Sequence, residues 1–521
     1  MKTIAAYVLL LMVNGAVLAQ DKIKLGICDT LPNGFFEKNY TDISIENGAG
    51  YCYPHPFKKV LDHRILNFSK LKSLSYMDSP TMKERKDVPL PYEIAQLKTL
   101  ENLETNVLCD AIFEMTWLKS LVLRVNGKEG PSDLSKKDFS VLSKLENLSI
   151  SFPYDQSTEF YELKGISKLK NLKAVSLYNG NQRMVNQFLK LKKLESVEIT
   201  GTPGVAFDFS STPNIESLSL TRNEMKTIPW TLYTLKKLKY LNLSFNEITE
   251  LSPGMGKQRH LEMLNLMGND LLEIPYSLFN CKKMKTLDVS LNKRLSRIPD
   301  EIGKMSELEA FGAWECNLQA LPNALSNCLQ LRSIVADKNQ IKDLQLDFSK
   351  LSKLEKLSFS ENQINHFSNS LFTLPKLRRL NLSWNRISAL PKYIGRMEEL
   401  KDLMLYGNHI RKLPIDIGKL KSLVYLNVGS NRIESLPESI THLEQLQSLS
   451  IGSNMLREIP KRIANLTSLY HLKIHNNPLV EFPGEIYDLP NLHSIGVSKE
   501  QINLKEFRKE QNYPYVNVIG R

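Results

Sequence analysis

The stretch Leu377-Arg378-Arg379-Leu380-Asn381-Leu382-Ser383-Trp384-Asn385-Arg386-Ile387-Ser388-Ala389-Leu390-Pro391 decides the fold. Leu380 and Leu382 alternate with polar residues, the period-two signature of a short strand with one buried face. Asn385 follows where the chain must turn, and its amide can donate to and accept from backbone groups of neighbouring coils. The second half of the unit reads clearly in Leu413-Pro414-Ile415-Asp416-Ile417-Gly418-Lys419-Leu420. Proline stands where a short helical turn can begin, and Ile417 and Leu420 are spaced to face inward together.

This unit recurs. It starts at Ile215, Leu238, Leu261, Met284, Leu308, Leu331, Leu354, Leu377, Leu400, Leu423, Leu446, Leu469 and Leu492. Eleven of those intervals are 23 residues and one, from Met284 to Leu308, is 24. The asparagine of the turn returns as Asn223, Asn246, Asn269, Asn292, Asn339, Asn362, Asn385, Asn408, Asn431, Asn454 and Asn477, with Cys316 interrupting the ladder and Glu500 standing in the terminal repeat. One unit cannot bury both of its apolar edges, so the units must stack into a continuous core.

The motif Leu-x-x-Leu-x-Leu-x-x-Asn followed by Leu-Pro-x-x-Ile-x-x-Leu resembles the leucine-rich-repeat family, in its 23-residue class. That class is similar to the Ras-group and scribble-type repeats and to many bacterial secreted repeat proteins. The resemblance implies an α/β fold: a leucine-rich-repeat solenoid, curved as a horseshoe, with a parallel β-sheet on the concave side and short helical or 3-10 turns on the convex side. It specifies the fold strongly and the function weakly, because the family serves many partners.

Upstream the period loosens. Leu71, Leu100, Leu118, Leu145, Leu172 and Leu194 start irregular repeats, giving about nineteen in all. Extra length at Ser79–Pro89, Asn126–Phe139 and Pro153–Leu163 holds turn formers or charge and reads as loops. The expected organisation is a signal peptide over 1–19, an N-terminal cap over 20–69, irregular repeats over 70–214, regular repeats over 215–491, and a terminal repeat with C-terminal cap over 492–521.

The signal peptide rests on Lys2, the apolar run Ile4–Val13 and the small residues before Ala19. That run is too short for a stable membrane anchor and no second long apolar segment follows. The chain is therefore expected to be exported: secreted, on the cell surface or periplasmic. Cys28 and Cys52 fall in the cap, where a disulfide would stabilise the fold by about 3 kcal/mol. Cys281 and Cys328 occupy the position of the repeat's last leucine and read as small buried apolar residues.

No Gly-rich phosphate loop, nucleophile elbow or metalloprotease motif is found. His471 and His475 are four apart on a strand, about 13 Å, too far to ligate one metal ion. The expectation is a non-enzyme with no metal site and no cofactor.

With 68 Lys and Arg against 56 Asp and Glu, the chain carries a formal charge of +12. The strand positions expected to face the concave side do not share this excess. Arg222, Lys338, Lys356, Arg379 and Lys473 meet Asp288, Glu315, Asp337, Glu361 and Asp402. A polyanion reader should line its face with Lys and Arg, so a nucleic-acid partner is disfavoured, and the charge falls on turns such as Lys236-Lys237. The same face carries Tyr240, Phe245, Met263, Met267, Trp314, Trp384, Met404, Tyr406 and Tyr425 among small polar residues such as Asn242, Ser290 and Ser450. Aromatic anchors with adaptable polar neighbours point to a protein or peptide ligand held along Trp314 to Tyr425. Aromatic platforms also stack on sugars, which makes a glycan-binding or adhesion protein the alternative.

Overall fold

The computed structural model describes residues 22–26, 40–46, 66–77, 90–125, 131–154, 161–480, 484–498 and 515–519. The signal-peptide segment and Cys28 and Cys52 lie outside the described residues, as do most of the expected loop insertions. The chain forms two compact units, Met1–Ile215 and Glu216–Arg521. The boundary falls where the irregular repeats give way to the regular ones.

In the first unit the strands Ser73–Met77, Asn102–Thr105, Ser120–Arg124, Asn147–Ser151, Ala174–Tyr178 and Ser196–Thr200 pair in parallel and in register. Two further strands, Lys22–Gly26 and Asp42–Glu46, precede the first expected repeat and extend the same sheet. Register places Leu74, Leu103, Leu121, Leu148, Val175 and Val197 in one row. Every member of that row is buried, as the alternating pattern requires. The returning segments are mostly 3-10 turns such as Asp110–Glu114. The α-helix Gln182–Phe188 is an exception, capped by Asn181, whose side chain accepts from the Met184 amide at 2.9 Å. Within the expected loop Asn126–Phe139, Pro131–Ser135 forms one short α-helix.

The second unit is more regular. From Ser217–Ser219 to His471–Lys473 the strands of its long sheet are three residues long, and each pairs in parallel with its neighbours, while Asp343–Leu344 and His366–Phe367 form a separate parallel pair. The strands Ser494–Ser498 and Tyr515–Ile519 extend the sheet. The register row runs through Leu357, Leu380, Leu403 and Leu426, each at most 1% exposed. Truncating one such leucine to alanine would cost about 2–5 kcal/mol. On the opposite side, Pro229, Pro275, Pro391 and Pro414 sit just ahead of five-residue 3-10 helices, with extended backbone that feeds into the turn. This is the expected parallel sheet backed by short helical turns.

The asparagine ladder ties coil to coil. The Asn385 amide nitrogen donates to Leu382 O at 3.1 Å in its own coil and to Phe359 O at 2.8 Å in the preceding one. Its oxygen accepts from the Ile364 amide at 2.9 Å. The same bonds recur at Asn408, Asn431, Asn454 and Asn477. Cys316 cannot reproduce them. Its thiol reaches Val289 O at 3.2 Å but offers no oxygen to the Leu295 amide, which bonds Asn292 O at 3.0 Å instead. The 24-residue interval and the missing asparagine are thus one irregularity: the added residue lets the coil close its amide internally.

Candidate ligand-binding face

The residue before each ladder asparagine adopts a left-handed backbone in every regular repeat. Its φ is +58° at Arg222, +55° at Phe245, +53° at Lys338, +55° at Trp384 and +51° at Ser430, and +69° at Gly268 and Gly407. Asparagine and glycine tolerate this region, whereas a bulky aromatic there is strained by about 1–3 kcal/mol and persists only where its surroundings fix it. Phe245 and Trp384 are two such residues, and both are exposed.

Each lies against a glycine one repeat on. A Cβ built on Gly268 would come within 2.8 Å of the Phe245 ring, and one on Gly407 within 2.7 Å of the Trp384 indole. The pattern recurs one position earlier in the repeat, where Tyr406 lies against Gly429, and in reverse where His475 lies against Gly452 of the preceding repeat. Trp384 also meets Tyr406 edge-on, with ring centroids 5.1 Å apart. Such a pair contributes about 0.5–1.5 kcal/mol beyond area burial, and it holds two aromatic side chains at a fixed angle.

The structure brings together some of the aromatic set and separates others. Tyr240 pairs in register with Met263, and Arg222 lies 5.1 Å from the Phe245 ring. Trp384, Met404, Tyr406 and Tyr425 occupy three consecutive coils, and Trp384 is the most exposed of them at 55%. Trp314 stands apart, half-buried, with the Lys338 ammonium 5.6 Å from its ring. The coils between Trp314 and Trp384 present polar groups, where Asp337 accepts from the Ser358 and Ser360 hydroxyls at 2.6 and 2.7 Å. Ser290 does not face a ligand: it is buried, and its hydroxyl accepts from the Trp314 amide at 3.0 Å.

The charges on this face neutralise one another. Arg379 pairs with Asp402 at 3.2 Å and Lys338 with Glu361 at 3.8 Å. Burial pulls the Lys356 ammonium below the ordinary lysine value, against the opposing pull of Asp337. His471 is exposed. His475 is half-buried, and burial, with Lys473 nearby, lowers its pKa. Cys281 and Cys328 are fully buried at the positions read as apolar. Among the described residues no group of three or more His, Cys, Asp and Glu is placed to hold a metal ion.

Sequence reasoning missed the left-handed slot and the glycine floor beside Tyr406. Gly268 and Gly407 in the slot before the ladder asparagine were the available signal.

The stacked coils, the ladder and the proline-led turns define a leucine-rich-repeat protein. The family model described as leucine-rich repeat region matches residues 229–398 and 391–514. That is more than half of the chain, and the chain belongs to the leucine-rich-repeat family. No curated protein matches it. Its structure is similar to that of a leucine-rich-repeat protein from Leptospira interrogans, at 24% identity and a TM-score of 0.60, covering 76% of this chain and 99% of that one. It is also similar to an internalin of Listeria monocytogenes, at 25% identity and a TM-score of 0.51, over 56% of this chain and 84% of that one. A plant peptide hormone receptor solved in complex with RGF2 aligns at 19% identity and a TM-score of 0.54, over 97% of this chain and 92% of that one. No helix among the described residues is long and apolar enough to cross a membrane.

Proposed function

We propose that this is an exported, non-catalytic leucine-rich-repeat protein that binds a protein or peptide ligand on the concave sheet face of its regular repeats. The Trp384–Tyr406 pair is the centre of the site, flanked by Met404 and Tyr425. One observation carries the reading: an exposed tryptophan held in a left-handed backbone, packed on Gly407 and set edge-on against Tyr406. Strain at an exposed position, with the ring already ordered, is what a pre-organised contact requires, because less entropy is lost on binding. The neutral face favours protein over a polyanion. Export is supported by the N-terminal charge, apolar run and small-residue sequence, and by similarity to an internalin and a receptor for a peptide hormone.

Peptides selected from a random library on the immobilised full chain supply the probe. Trp384→Ala and Tyr406→Ala should each weaken a selected peptide by about 30-fold, as hot-spot aromatics do. Trp314→Ala, two polar coils away, should change affinity less. Unchanged affinity in the Trp314→Ala/Trp384→Ala/Tyr406→Ala triple variant would overturn the assignment. Binding of neutral polysaccharide at those residues, with no peptide enrichment, would establish the glycan alternative instead.

A further inference from the structure

The chain's positive charge gathers on the 3-10 side of the second unit. Three consecutive coils place Lys236 and Lys237, then Lys257 and Arg259, then Lys282 and Lys283 in the turns that precede their strands. Glu216 and Glu262, just ahead of the strands Ser217–Ser219 and Met263–Asn265, are already engaged, by Lys239 at 2.7 Å and by Lys285 at 2.9 Å. Among the described residues, Lys236, Lys257 and Arg259 form no ion pair. All three line a cleft of about 530 Å³, together with Ser277 and Asn280, and no carboxylate lines it.

Two further features favour a ligand over a plain solvated edge. The Ser277 hydroxyl is shielded from solvent and has no hydrogen-bond partner. An unsatisfied group of that kind calls for a water, an ion or a ligand. The turns that carry the cations also carry exposed aromatics. Trp230, 74% exposed, opens the 3-10 helix that ends two residues before Lys236, and Tyr276, 58% exposed, immediately precedes Ser277. Three cations lining one cleft with a free hydroxyl and an amide suit an oxyanion bearing polar substituents. Exposed aromatic faces on the same turns, outside the lining of the cleft itself, suit the C–H faces of a sugar ring.

We propose that this cleft binds an acidic saccharide. A sulfate, phosphate or carboxylate group lies between Lys236, Lys257 and Arg259, the Ser277 hydroxyl donates to it, and an adjoining ring packs on Trp230. This site is independent of the aromatic sheet face, because it uses none of its residues. It gives the basic excess a defined place without making that face a reader of polyanions.

A sulfated tetrasaccharide titrated into the full chain tests the site, with maltotetraose as the neutral comparison and phosphatidylglycerol vesicles as the membrane comparison. Lys236→Ser/Lys257→Ser/Arg259→Ser should reduce affinity for the sulfated sugar by about 30-fold and flatten its salt dependence. The control Lys342→Ser/Lys376→Ser/Lys412→Ser, with the same change in charge, should stay within about 2-fold. Trp230→Phe should remove the fluorescence change on binding. Equal losses in the two triple variants would reduce the effect to net charge and overturn the proposal. Binding to vesicles through the cleft residues, with none to the tetrasaccharide, would overturn it in favour of a membrane surface. Thermal melts of both variants establish that each remains folded.

Discussion

The two units solve the same stacking problem differently. In Glu216–Arg521 the sheet strands are mostly three residues long, because a left-handed residue and the asparagine ladder take over the turn three and four residues later. In Met1–Ile215 most strands run to five residues, and the coils are joined case by case. Asn179 donates to Phe152 O at 2.7 Å, and Gln187 exchanges two bonds with the backbone of Leu163. One buried residue type, repeated in register, lets a coil be copied many times. Individual solutions tolerate coils of unequal length.

The largest test removes one rung from each unit. Asn385→Ala strands buried carbonyl and amide groups of two coils and should cost about 3 kcal/mol in urea unfolding. Asn179→Ala loses the bond to Phe152 O at a half-buried site and should cost about 1 kcal/mol. Similar losses would mean that the ladder does not distinguish the units.

Glycine positions sharpen the same contrast. Gly407 and Gly204 have φ of +69° and +70°, but only Gly407 has a neighbour, the Trp384 indole, where a Cβ would go. Gly204→Ala should cost about 1 kcal/mol from backbone strain alone. Gly407→Ala should cost about 2 kcal/mol, and it should also weaken peptide binding by displacing Trp384.

A third test uses pH. Burial pushes the Cys281 thiol up to about 11 and the Cys316 and Cys328 thiols up to about 12, from an ordinary 9.0. The folded state keeps these protons when the unfolded chain releases them, so their contribution is whole below pH 9 and declines as pH rises toward 11–12. The decline is at most about 1.4 kcal/mol per pH unit for each thiol. Comparing urea midpoints at pH 8 and 10 should show a smaller drop in Cys281→Ala/Cys328→Ala than in the unaltered chain.

The smallest effect is expected at the broken rung. Cys316→Asn restores the amide donors, but the Leu295 amide stays bonded to Asn292 O, so stability should change by less than about 1 kcal/mol. Deleting Lys293 as well restores a 23-residue interval and should release the larger gain. A full gain from Cys316→Asn alone would separate the two irregularities.

The regular unit was legible because period and burial coincide. Leu380 and Leu382 define the strand, Pro391 the turn and Asn385 the rung, each by a local rule. The strands Lys22–Gly26 and Asp42–Glu46 were not, since nothing repeats around them and their pairing is visible only in register with Ser73–Met77. The aromatic residues of the candidate face could be named from strand alternation. Their grouping could not, because the contact between Trp384 and Tyr406 joins different slots of successive repeats, and the clefts between 3-10 turns depend on neighbours 23 residues apart. Likewise, the pairing of Cys316 with the long interval needed the Leu295 amide to be seen choosing another acceptor.

The ladder also has a direction. Each asparagine oxygen receives an amide from the coil before it, as Asn408 does from Ile387 and Asn431 from Ile410. A coil of 23 residues therefore leaves that amide for its successor to close, and only the 24-residue coil closes it internally. During synthesis a coil leaving the ribosome would stay open until about one further repeat had emerged, so the nascent chain should acquire protease resistance one coil behind the point of elongation.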